Sequence, residues 1–92
     1  MATGLPIEDI MLSIRELRSN EENFNTLYQK LEKTINLAQQ AGHHSLADEL
    51  QETKDKQAAE YSKAKEATGN AWPEFEKFVT QFERSLTTAK TA

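Results

Sequence analysis

Cysteine is absent from the 92-residue chain, which excludes a disulfide framework and any thiolate metal site. Glycine and proline are scarce, at three and two residues. Between them stand no turn dipeptides and no strand-like alternation, so nothing marks a β-hairpin. No apolar run approaches the roughly 18–20 residues needed to cross a bilayer. Positive charge is also short: 11 basic side chains against 15 acidic ones leave a net charge of −4. That balance disfavours a general nucleic-acid binder, which carries a basic footprint. The opening Met1-Ala2-Thr3-Gly4-Leu5-Pro6 shows neither the basic start nor the apolar core of a signal peptide, so the cytoplasm is the expected compartment. So short a chain makes one domain with a thin core. Residues 1–92 are read as a single helical domain, with 1–5 and 89–92 frayed.

What remains is rich in Ala, Leu, Glu, Gln and Lys, all good helix formers. The chain is therefore predicted to be all-α. The first helix is expected over about 6–41. Pro6 suits a first turn, and Glu8 and Asp9 place acid at the positive end of the helix dipole. Ile7, Ile10, Ile14, Leu17, Phe24, Tyr28, Leu31, Ile35 and Ala38 then recur. From Ile10 their steps alternate four and three, a heptad seam with Glu21 as its polar member. Gly42 is placed to end this helix. Ser19-Asn20-Glu21-Glu22 has the form of a capping box and competes with continuity. The unbroken register favours one long helix.

Ser45, with Asp48 three residues on, reads as the cap of a second helix over about 45–68. Its apolar face is Leu46, Leu50, Ala58, Tyr61 and Ala64, and it is nearly empty between Gln51 and Gln57. Gly69 ends it. Asn70 caps a third helix over about 71–88, with Pro73 in its first turn. Trp72, Phe75, Val79, Phe82 and Leu86 keep the four-three spacing, and Phe78 widens the stripe. The aromatic cluster from Trp72 to Phe82 is read chiefly as core.

Two architectures use these elements: an antiparallel helical hairpin with coiled-coil-like packing, or a compact three-helix bundle in which the breaks near Ser19 and Gly69 fold back. The hairpin is favoured on length, since about 36 residues at 1.5 Å each span about 54 Å and the other two helices together nearly match it. It sets Tyr61 near Phe24, Glu21 and Glu22 near Lys63 and Lys65, Trp72 near Ile14, and Phe75 and Val79 against Met11 and Ile7.

No enzyme motif is present: no Gly-rich phosphate loop, no G-x-S-x-G, no Glu-x-x-His pair for a di-metal bundle. The carboxylates alternate with lysine and arginine as on any solvated helix face. His43, His44 and Asp48 are too few ligands for a metal. No catalytic residue, cofactor or metal site is assigned. The turn Ala41-Gly42-His43-His44-Ser45 also departs from the Trp-x-Gly turn of small secreted helical hairpins.

In a hairpin, the first helix keeps a poorly covered stripe of Phe24, Leu27, Tyr28, Leu31 and Ile35, with Leu37 beside it. Leaving such side chains half exposed forfeits several kcal/mol at about 25 cal/mol per Å². That stripe is the expected partner-binding surface. The expected function is a non-enzymatic protein–protein interaction module, such as an adaptor, inhibitor, chaperone or assembly factor, working as a homo-oligomer, most simply a homodimer. The alternatives are a dimeric nucleic-acid-linked regulator or a small structural component of a phage or secretion assembly.

Overall fold

A computed structural model describes residues 5–91. These residues form four α-helices, one 3-10 turn and no strand: α1 Ile7–Leu17, the turn Glu21–Asn23, α2 Phe24–Gln40, α3 His44–Thr68 and α4 Trp72–Thr91. The chain is all-α. Of the expected frayed ends 1–5 and 89–92, residues 1–4 and 92 lie outside the described residues. Leu5 packs on the core, and α4 continues to Thr91 with Ala89 also packed, past the Thr88 end expected.

The long first helix is broken, and the break corrects the expectation of continuity. α1 stops at Leu17, and Asn20 leaves the helical region at φ −140°, ψ 121°. Its side-chain oxygen accepts from the Glu22 N–H at 2.9 Å, so Asn20 rather than Ser19 caps the next turn. The Asn23 side-chain amide donates back to the Leu17 carbonyl at 3.0 Å, satisfying one of the acceptors that a helix end leaves open. Asparagine can do both because its short side chain competes with the helical backbone for hydrogen bonds.

The other boundaries follow the glycines. Gly42 sits at φ +84°. Its N–H donates to Gln39 O at 3.1 Å, and the His43 N–H donates to Ala38 O at 2.8 Å, the paired closure of a Schellman motif. That closure uses only one extra residue. His43 is therefore already the flanking residue of α3, and Ser45 lies inside the first turn rather than capping it. Gly69, at φ +74°, ends α3 by donating to Lys65 O at 2.9 Å. Asn70 caps α4, its side-chain oxygen accepting from the Trp72 N–H at 3.2 Å.

The helices run alternately up and down. α2 and α3 are antiparallel, with Glu32 beside Lys54 and Phe24 beside Tyr61. α4 folds back along α3, and α1 runs antiparallel to α4, with Glu8 paired to Lys90 and Arg18 to Glu83. The start of α1, the turn at His43 and the end of α4 therefore share one end of the molecule, called here the tip. This register replaces the expected pairing of Met11 and Ile7 with Phe75 and Val79. The result is a bundle of 48 × 23 × 19 Å, the compact alternative to the hairpin, in which three long helices are joined by a short fourth. One core joins Ile10 and Ile14 of α1, Leu27, Leu31, Ile35 and Ala38 of α2, Leu46, Ala47 and Leu50 of α3, and Phe75, Phe78, Val79, Phe82 and Leu86 of α4.

Candidate functional site

The stripe expected to bind a partner is inside the bundle. Leu27 and Leu31 have no exposed surface and Ile35 retains 5%. Phe24 stacks on Tyr61 with ring centroids 3.8 Å apart and planes 4° from parallel, and its ring lies 5.3 Å from that of Phe78. Tyr28 is half-buried under Lys54, whose ammonium stands 5.7 Å from the ring centroid. The expectation of an open stripe is thus corrected. It arose because a hairpin offers α2 only one neighbour, whereas the folded-back α4 and α1 cover its remaining flank. Leu37 is the exception and stays 41% exposed.

The sparse face of α3 is filled by other means. Thr53, Lys54, Gln57, Ala58, Tyr61 and Ala64 are half-buried there. Gln57 Oε1 is buried with no hydrogen-bond partner. Lys54 spans the seam to Glu32 at 3.3 Å. At the end opposite the tip, the Glu21 carboxylate accepts from Lys65 Nζ at 2.6 Å and from the Tyr61 hydroxyl at 3.2 Å. Lys65 is the main cause holding Glu21 below its ordinary pKa. Partial burial opposes it, and the Tyr61 hydroxyl and the Ala71 N–H reinforce it. Glu21 in turn raises Lys65, while burial is the first cause and Glu21 the second that raise Tyr61. Lys90 lowers Glu8 in the same way at the tip. The cluster around Glu21 ties the break between α1 and α2 to the end of α3.

Two of the open clefts on the bundle carry candidate polar groups. One, of about 370 Å³, lies between the α2–α3 turn and the last turns of α4 and includes His43 and His44. Among the described residues no three His, Cys, Asp or Glu side chains converge on a metal position. The other cleft, of about 500 Å³, lies between α1 and α4. Its walls carry Arg15, Arg18 and Arg84, the only arginines in the chain, around Glu83. Arg18 Nη1 donates to Glu83 Oε1 at 3.0 Å, and Arg15 Nε stands 3.9 Å from Oε2.

Two exposed leucines complete the surface. Leu12 on α1 is 55% exposed and Leu37 on the neighbouring α2 is 41% exposed. Leu12 lies five residues from the tip end of α1 and Leu37 six residues before His43, so both stand about 8–9 Å from the tip. Leu12 falls outside the four-three seam, and that misfit is the sequence signal for its exposure. The arginine cleft had a fainter signal, the i,i+3 spacing of Arg15 and Arg18.

Among the described residues, no helix is long and apolar enough to cross a membrane. The fold is that of an all-α helical bundle. Comparison with known proteins finds no matching family model, no matching curated protein and no matching solved structure.

Proposed function

We propose that this chain is a non-enzymatic protein–protein interaction module that works through helix–helix contacts. The observation that carries the reading is the exposure of two large apolar side chains, Leu12 on α1 and Leu37 on α2. Each costs solvation while it faces water, and a partner helix laid along the α1–α2 face recovers that cost for both. The buried stripe of Phe24, Leu27, Tyr28, Leu31 and Ile35 supports the bundle, and the docking face moves to its outer side.

Light scattering of the purified chain across micromolar concentrations, with the Leu12→Glu and Leu37→Glu variants beside it, tests the reading. Self-association or capture of a partner from native extract should be lost in both variants, with melting temperatures unchanged because neither side chain is in the core. Retention of the same assemblies by both variants, or a wild-type chain that stays monomeric and captures nothing, removes the proposal. A mass of twice the monomer identifies a second copy as the occupant.

A further inference from the structure

The arginine cleft between α1 and α4 is unlike the rest of the surface. The chain carries eight lysines, spread over α2, α3 and α4, and three arginines, all in this one place. The molecule as a whole is acidic, yet the residues lining this cleft include all three arginines and a single carboxylate, Glu83. Two positive charges are in excess.

Anchoring α1 to α4 accounts for only part of the arrangement. Arg15 and Arg18 stand around the Glu83 carboxylate, whose side chain is 17% exposed. Arg84 has no ion-pair partner among the described residues, although it follows Glu83 directly in the chain. Arg18 uses one guanidinium nitrogen on Glu83, and each guanidinium offers five N–H donors in a planar fork. The Thr80 side chain lies in the same wall.

We propose that this cleft binds a phosphate group, as the free ion or as a phosphomonoester. A phosphate monoester carries about −1.5 to −2 charge at neutral pH, which the excess of two positive charges balances. It presents several acceptor oxygens in a tetrahedron, which suits several guanidinium forks where a carboxylate suits one. The net charge of −4 disfavours anions over the rest of the surface, so any phosphate held depends on the local excess of arginine. Neither Leu12 nor Leu37 lines this cleft, so the phosphate proposal does not rest on the docking proposal.

The test is an NMR titration of the 15N-labelled full chain with inorganic phosphate and, separately, with O-phosphoserine, at ionic strength held constant with sodium chloride. Saturable shifts at the arginine Nε–H signals and the Thr80 amide are expected with both probes, and acetate should not saturate. Arg84→Gln should weaken binding about tenfold with no change in melting temperature, since Arg84 is exposed and anchors nothing. Lys33→Gln removes the same charge from α2 and should leave the affinity within about twofold, because salt screens a distant exposed charge. Leu37→Glu, on α2 and not among the residues lining the cleft, should still bind phosphate. Equal affinities for the two probes assign the site to the ion itself, and tighter phosphoserine binding assigns it to a phosphorylated side chain. Shifts that do not saturate, that spread over the lysines, that acetate reproduces, or that persist unchanged in Arg84→Gln overturn the proposal.

Discussion

The first and second parts of α3 are held in place by different forces. In the part nearest the tip, Leu46, Ala47 and Leu50 are buried against α2 and α4. From Gln51 to Thr68 no residue of the helix is buried. The second part is fastened from outside: Phe24 stacks on Tyr61, Lys54 reaches Glu32, and Glu21 reaches Lys65 and Tyr61. The helix continues without a break between the two regimes. Only α3 makes this change, because its neighbours α2 and α4 carry apolar residues along their whole inner faces. A polar seam is tolerated where the facing helices supply the apolar surface and where aromatic and charged groups tie the outer rim.

Substitutions along α3 test that contrast. The largest effect is expected for Leu50→Ala, which opens a cavity in the apolar part and should cost about 2–5 kcal/mol in thermal or denaturant unfolding. Ala58→Gly, in the polar part, should cost only the roughly 1 kcal/mol of lost helix propensity. Equal losses at the two sites would mean that both parts are core and would end the distinction. Next comes Gln57→Met. Gln57 Oε1 is buried without a partner, and an unpaired buried acceptor costs about 1–3 kcal/mol. The variant should melt higher, by up to about 1 kcal/mol of added stability once the loss of the amide's other contacts is included. A lower melting temperature would show that the amide is needed where it sits.

The smallest effect is expected for Glu21→Gln, because its ion pair lies at the rim where water screens it. Its signature is a pH dependence. The native state holds Glu21 below its ordinary pKa, so its contribution is present at neutral pH and fades as pH falls through the lowered value. Lys65 is held above its ordinary value, so its part is present at neutral pH and is lost as pH rises through the raised value. The difference in melting temperature between wild type and Glu21→Gln should therefore be greatest near neutrality and shrink at both extremes. A difference independent of pH would assign Glu21 a packing role alone.

Much of the far end was visible in the pattern of residues. Tyr61 was expected near Phe24 and Lys65 near Glu21, and both pairs are formed. These contacts lie between α2 and α3, whose register is set by the short turn at Gly42 and is the same in a hairpin and in a bundle. The pairings expected for α1 failed because they depended on whether the chain folds back at Ser19–Asn23. The stripe from Phe24 to Ile35 is legible as apolar, but nothing in its spacing says which helix covers it. The arginine cleft joins residues more than sixty positions apart, beyond the reach of any local pattern.

Composition and periodicity are enough to establish the helical class, the closing glycines, the asparagine cap of α4 and the faces that must leave water. These are local matters, set by backbone conformations that glycine and asparagine favour and by the 3.6-residue repeat. The reversal at Asn20 was not local. A heptad pattern continues across it, so helical continuation and a turn were both compatible with the residues there. The turn is held by what surrounds it: Glu21 reaches a lysine and a tyrosine on α3, Asn23 reaches back to α1, and Arg18 meets Glu83 on α4. Periodicity specifies which side of a helix is buried, but the identity of the neighbour depends on contacts distant in sequence, and those exist once the bundle has closed.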